Sequence, residues 1–144
     1  MQVRQILSFK LLPGVATIQR DARVSEAASE MAARRIGALV VSSDGTTVDG
    51  ILSERDIVRE LGRRGPVCLS DMVGQIMTRE IQTCQLDDRA DDILSLMTEG
   101  RFRHMPVMQG GKMVALISIG DVIKARLSEL TMEKKALEDM IMGF

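Results

Sequence analysis

Two polar pairs of identical type and spacing recur in this sequence: Ser53 with Asp56, and Ser118 with Asp121. Each pair follows an apolar run, Gly50-Ile51-Leu52 in the first copy and Ala115-Leu116-Ile117 in the second. Two chemistries fit such a segment. A serine followed three residues later by an acid starts a helix: the hydroxyl accepts the backbone N–H three residues on, and the carboxylate favours the positive helix end. Alternatively, N–H groups at that helix start and the serine hydroxyl suit phosphate oxygens. The carboxylate can then accept from two adjacent hydroxyls, as on a ribose. The apolar residues before the serine offer a surface for a flat base. Taken alone, the residues leave capping and nucleotide binding open.

The elements that would carry these pairs form an internal repeat. Both Ser and Asp recur 65 residues apart, and upstream the register holds at 66, with Thr17 matching Thr83, Met31 matching Met97 and Ile36 matching Phe102. Such self-similarity dictates a fold of two like units. Each unit opens with a short helical lead-in, Val3–Ser8 and Val73–Thr78, the first copy carrying extra loop residues around Pro13-Gly14. A short extended piece follows, Val15–Ile18 and Ile81–Cys84. Next come amphipathic helices with Val24, Ala27, Ala28, Met31 and Ala32, then Ala90, Ile93, Leu94 and Met97, at helical spacing. Gly37 and Gly100 lie near their ends.

Hairpins close each unit. Leu39–Val41 turns through Asp44-Gly45 into Val48–Leu52, and Met105–Val107 turns through Gly110-Gly111 into Met113–Ile117. Pro106 lacks a ladder donor, which predicts an edge strand or a strand start. The fold class expected is α+β: two pseudo-twofold-related repeats of strand, helix, strand, strand, helix, packed sheet-to-sheet. The predicted boundaries are 1–68, 69–127 and a helical extension over 128–144. In the last helix Ile123, Leu127, Leu130, Lys134, Leu137, Ile141 and Phe144 recur at steps of four and three, a heptad seam that reads as a self-association surface.

Composition narrows the function. At 144 residues the chain can bury a real core. A net charge of −1 supplies no field for nucleic acid or an anionic membrane, and the lack of Tyr and Trp removes base-stacking platforms. The apolar runs are too short to span a bilayer, and Met1–Arg4 does not begin a signal peptide, so a cytoplasmic protein is expected. Cys68 and Cys84 lack metal or redox spacing and read as buried thiols. Eleven methionines read as core filling. Asp87-Asp88 and Asp91-Asp92 lack calcium-loop spacing and read as helix-start charges; Arg34-Arg35 and Arg63-Arg64 read as charged helix surface. No metal site is expected. His104 is the sole histidine, with no nucleophile arranged around it in the sequence, so no enzyme is expected.

The Gly-apolar-apolar-Ser-x-x-Asp pattern, the Arg103-His104-Met105-Pro106-Val107 run and the Ile76-Met77-Thr78 opening resemble a CBS (cystathionine β-synthase-type) domain, and two in tandem resemble a Bateman module. The resemblance covers Val3 to Ile123, leaving no room for a separate catalytic domain, and implies a stand-alone pair. It implies adenosyl ligands in two clefts between the repeats: AMP foremost, with ADP, ATP, S-adenosylmethionine or NADH as other members of the class. It further implies a regulatory role toward an unknown protein, and homodimers. At matching positions, Asp56 and Asp121 would hold ribose hydroxyls and Ser53 and Ser118 would contact phosphate. Ile51 and Leu116 would sandwich adenine near Thr17 and Thr83, and Arg103 and His104, beside Pro106, would face phosphates.

The repeats differ at these positions. Gly37 and Ala38 stand where the second copy has Arg103 and His104, and Arg55 stands where the second has Gly120. On this reading the second cleft is the better furnished for phosphate and binds the tighter nucleotide. Two other readings remain: an NAD(H)-sensing module, and a ligand-free structural dimerisation protein acting through its last helix.

Overall fold

A computed structural model describes residues 1–10 and 14–143 of the chain. The first repeat contains α1 (Val3–Ser8), β1 (Thr17–Ile18), α2 (Val24–Arg34), β2 (Ala38–Val41), β3 (Gly50–Ser53) and α3 (Glu54–Arg64). A 3-10 turn, Pro66–Ser70, leads to the second, with α4 (Val73–Ile76), β4 (Cys84–Gln85), α5 (Ala90–Gly100), β5 (His104–Gln109), β6 (Lys112–Ser118) and α6 (Ile119–Ile141). Each repeat builds a three-stranded sheet, ordered β1-β2-β3 and β4-β5-β6, with a parallel outer pair and an antiparallel hairpin. The expected α+β architecture of two like units is what forms. The Pro13 part of the expected loop and the Phe144 end of the seam lie outside the described residues.

The helices form where the apolar spacing dictated. Val24, Ala27 and Met31 of α2 pack on Leu39, Val41 and Leu52, and Ala90, Ile93 and Met97 of α5 pack on Met105, Val107 and Ile117. Ala32, placed on the apolar face by its spacing, is exposed. The strand residues between, Ala38, Val40 and Ile51, are buried too although they face away from the helices. That second buried face requires cover from the other repeat. The Met113 N–H donates to the Thr46 carbonyl at 2.8 Å, and Ile51 bridges to Thr78, so contacts do cross between the repeats.

The lead-in helices exchange partners. Val3 and Ile6 of α1 are buried in the second repeat's core, while Val73 of α4 is buried in the first repeat's. Isolated bridges, Gln2 with Arg89 and Arg23 with Met72, pin each lead-in beside the other unit's central helix. Each lead-in therefore delivers the chain just behind it to the other repeat's polar motif.

Pro106 corrects one expectation. It lies third in β5, the central strand, not at an edge or a start. It faces Leu116 as Val40 faces Ile51, and the Val40 N–H donates to Ala16 just before β1 at 3.1 Å. Proline cannot make the matching bond. β1 and β4 are equally short, two residues each, but β4 (Cys84–Gln85) begins one residue later in the repeat than β1, so Pro106 lies just before the residues of β5 that β4 pairs.

Gly100 is the last residue of α5 and Gly37 stands just past α2, near the helix ends as expected. The residues in left-handed backbone after α2 and α5 are Arg35 and Arg101, both at φ 55°, and not a glycine. A non-glycine residue there costs about 1 kcal/mol, and both copies accept it to turn the chain into the central strand.

Candidate functional site

The first motif is fully formed. The Ser53 hydroxyl accepts the Asp56 N–H at 3.3 Å, and Asp56 Oδ2 accepts the Ser53 N–H at 2.9 Å, a reciprocal cap on α3. Asp56 is 3% exposed, and its second oxygen, Oδ1, accepts from Thr78 Oγ1 at 3.2 Å and from Arg59 at 3.4 Å. The Glu54 N–H is spent on the Gly37 carbonyl at 2.9 Å. Two of the helix-start donors are thus already used, and a phosphate here would be met chiefly by side chains.

A cavity of about 350 Å³ opens over this motif, within the size range of small-ligand pockets. The first repeat contributes Gly37, Ile51, Ser53, Glu54, Arg55, Asp56 and Arg59. The second contributes Thr78, the segment 80–82 and the turn Gly100–His104. Four arginines (Arg55, Arg59, Arg101 and Arg103) face three carboxylates, those of Glu54, Asp56 and Glu80. Arg55 also donates to the Arg101 carbonyl at 3.4 Å, tying α3 to the end of α5. The cavity offers an apolar wall at Ile51, a carboxylate at its base and a ring of guanidinium groups. That arrangement can hold a flat ring, a diol and an anion together.

Arg103 and His104 are placed differently from expectation. They line the cavity over Asp56 and so do not serve the second motif alone. The reason is topological: the turn from α5 into β5 lies across from α3, at the junction between repeats. His104 stands between the two motifs, pairing with Ser118 in the hairpin and lying near both Glu54 and Asp121. Burial holds its imidazole below the ordinary histidine range, partly offset by the Asp121 and Glu54 carboxylates. The first cleft, not the second, thus gathers the arginines.

The second motif repeats the cap: Ser118 Oγ accepts the Asp121 N–H at 3.1 Å, and Asp121 Oδ2 accepts the Ser118 N–H at 2.8 Å. Its neighbour differs. Lys10 Nζ stands 3.0 Å from Asp121 Oδ2 and donates to the Leu116 carbonyl at 2.6 Å. Burial alone would raise the Asp121 carboxyl, but the Ser118 hydrogen bond and the Lys10 ammonium outweigh it and hold the group below the usual carboxylate range. Thr17, Thr83, Pro106, Leu116, Ser118 and Asp121 are not in the Asp56 cavity. For Thr83 the neighbours Ile81 and Gln82 line it instead.

Several residues beside the two motifs were given no binding role by the sequence. Arg59 lies one turn beyond Asp56, a spacing that could have flagged it. Thr78, Glu80 and Arg101 reach the site only because the lead-ins cross over, and Lys10 carried no signal at all. Both cysteines are buried and free, and burial pushes the Cys84 thiol up to about 12, far from reactive. Among the described residues no group of His, Cys, Asp and Glu is arranged to hold a metal ion, and no helix is long and apolar enough to cross a membrane.

With the geometry in hand, comparison with known proteins is specific. The sequence matches the CBS domain twice, over residues 3–63 and 73–128. It is 35% identical over 127 residues to the mitochondrial CBS domain-containing protein CBSX3 of Arabidopsis thaliana, covering 85% of this chain and 62% of that protein. The chain therefore spans less than two thirds of that relative's length. The structure superimposes on the CBS-domain containing protein ATU1752 from Agrobacterium tumefaciens with a TM-score of 0.83 and 39% identity, covering 88% of this chain and 99% of that one. The fold also matches, at 21% identity and a TM-score of 0.74, the CBS domain pair of MJ0100, solved with 5′-methylthioadenosine and S-adenosyl-L-methionine, covering 86% of this chain and 98% of that one.

Proposed function

This chain belongs to the CBS-domain family, as a tandem pair, and on that premise we propose that it is a regulatory module taking an adenosine-containing ligand in the cleft over Asp56. The observation that carries the reading is the composition of that one cavity. Ile51 supplies an apolar wall for a base, and Asp56 supplies a carboxylate whose Oδ1 partners, Thr78 and Arg59, are long enough at 3.2 and 3.4 Å to yield to a diol. Arg55, Arg59, Arg101 and Arg103 supply charge for a phosphate chain. AMP is the ligand this arrangement suits best, with ADP and ATP in the same class. The MJ0100 pair, solved with adenosine-containing ligands, supports the class by analogy of fold.

The site does no chemistry on its ligand. The Ser53 hydroxyl is engaged as a helix cap and the thiols are buried, so the polar groups bind and orient. Because the cavity walls come from both repeats, a bound ligand stabilises one relative placement of them. A partner protein that prefers that placement then reads ligand concentration as a change in affinity. We propose a homodimer as the working assembly, formed through α6.

Thermal denaturation with a ligand panel tests the reading. With no Trp or Tyr, purified protein absorbs little at 280 nm, so a nucleotide retained through purification shows directly near 260 nm and NADH near 340 nm. AMP at 100 times its dissociation constant adds about 2.7 kcal/mol of stability. A flat spectrum and no shift with AMP, ADP, ATP, S-adenosylmethionine or NADH would sink the proposal.

A further inference from the structure

The protein itself fills the acceptor positions of the Asp56 carboxylate. A carboxylate offers about four. The Ser53 N–H at 2.9 Å and the Ser53 hydroxyl at 3.2 Å meet Oδ2, and the Thr78 hydroxyl at 3.2 Å and the Arg59 guanidinium at 3.4 Å meet Oδ1. Ser53 and Arg59 belong to α3 and its cap. Thr78 comes from the other repeat, and its backbone is fixed there by two hydrogen bonds with Ile51, 2.8 and 3.0 Å. Gly50 permits that approach, since a Cβ there would stand 2.7 Å from the Met77 sulfur and 2.9 Å from the Thr78 carbonyl. The matching place at the second motif differs: Ala115 stands for Gly50, and Ser8, which matches Thr78, donates instead to the Gln5 carbonyl at 2.6 Å.

A ribose diol reaches this carboxylate only by displacing donors already on it. The Ser53 pair is the cap on which the start of α3 depends. Arg59 is held weakly: its side chain is 67% exposed and swings into water at little cost. Thr78 can turn its hydroxyl aside but cannot withdraw, because the Ile51 pairing holds its backbone against the cavity that it lines. Its hydroxyl therefore contests the oxygen, Oδ1, that the diol needs. We propose that Thr78 is a built-in competitor for the ribose, lowering the affinity of the Asp56 cleft and tying the two repeats together until a diol takes its place. Binding then exchanges a hydrogen bond between the repeats for hydrogen bonds to the ligand, and Thr78 sets the ligand concentration at which the exchange occurs. The inference rests on the ligand class proposed above and assigns the threshold of that site to one side chain.

Isothermal titration with AMP and with 2′,3′-dideoxyadenosine 5′-monophosphate tests the competition. The second probe keeps the base and the phosphate but brings no diol to Asp56. Thr78→Val removes the hydroxyl and keeps the shape, and Thr78→Ala is a second deletion. Each is expected to bind AMP at least about threefold more tightly than the unsubstituted protein, with no gain for the dideoxy probe. Thr78→Ser puts a hydroxyl back and is expected to return AMP to the lower affinity. Thermal denaturation shows whether each variant is folded. Unchanged or weaker AMP binding in the deletion variants, an equal gain for both probes, or failure of both deletions to fold overturns the inference while leaving the Asp56 cleft in place. If the unsubstituted protein binds no AMP, or Asp56→Ala binds it undiminished, the proposed function falls and this inference with it.

Discussion

Single side chains set the behaviour of the cleft. Asp56 is buried with four hydrogen-bond partners, so Asp56→Ala leaves the Ser53 N–H and the Thr78 hydroxyl without their acceptor. A loss of about 1–3 kcal/mol is expected in urea denaturation, alongside loss of ligand at that cleft. His104 makes stability depend on pH with a definite sign. Its folded-state pKa lies below the ordinary histidine value of about 6.5 because the ring is buried, so the unfolded chain binds the proton first. Stability is therefore full above about pH 6.5 and falls as pH drops from there through the lower folded value. Replacing the histidine by glutamine should flatten that limb of the stability–pH curve; an unchanged acid limb would show that other groups govern it. At this scale Ser-x-x-Asp was legible from the sequence, since a cap depends on residues three apart. The company it keeps was not. Arg101 and Lys10 reach the motifs through tertiary crossing that no local spacing encodes.

Elements explain where those crossings come from. The lead-ins α1 and α4 pack on each other's repeats, and Gly50 is what lets the chain after α4 lie against β3. Gly50→Ala forces Met77 and Thr78 away and is expected to cost about 1–3 kcal/mol and to weaken ligand binding; wild-type stability in thermal denaturation would contradict the close approach. The helix α6 is the other element with an open consequence. Val122 and Ala125 face the body, while Ile123, Leu127, Leu130 and Leu137 point outward and are exposed. If two copies pair through this seam as proposed, an antiparallel register would set Leu127 opposite Leu137 and Lys124 beside Glu138, whereas a parallel one would oppose Lys134 to itself and Glu133 to Glu138. Leu127→Glu with Leu137→Glu should convert a dimer to a monomer in light scattering, and an unchanged mass would remove the seam from the interface. The hairpins and amphipathic helices were readable from period and turn chemistry. Both outer strands were read too long at their starts, and β4 begins one residue later than β1 because Pro106 has no N–H to give where Val40 donates.

At the scale of the molecule, duplication makes one cavity from two units, and the copies differ in what stands beside each motif. The first cleft gathers Arg55 and Arg59 from one repeat and Arg101 and Arg103 from the other around Asp56, while the second holds Asp121 against Lys10. The repeat was visible in the sequence, and with it the pseudo-symmetric fold. That Arg103 and His104 also line the cavity over Asp56 was not, because its wall is assembled across the repeat boundary while motif matching works within one copy. The cleft over Asp56 is the proposed adenosine-ligand site. A crystal structure determined with saturating AMP tests it most directly. Density is expected for the base against Ile51, the ribose hydroxyls on Asp56 in place of Thr78, and the phosphate among Arg55, Arg59, Arg101 and Arg103. A nucleotide bound elsewhere with this cleft unaltered, or no nucleotide at all, would contradict it.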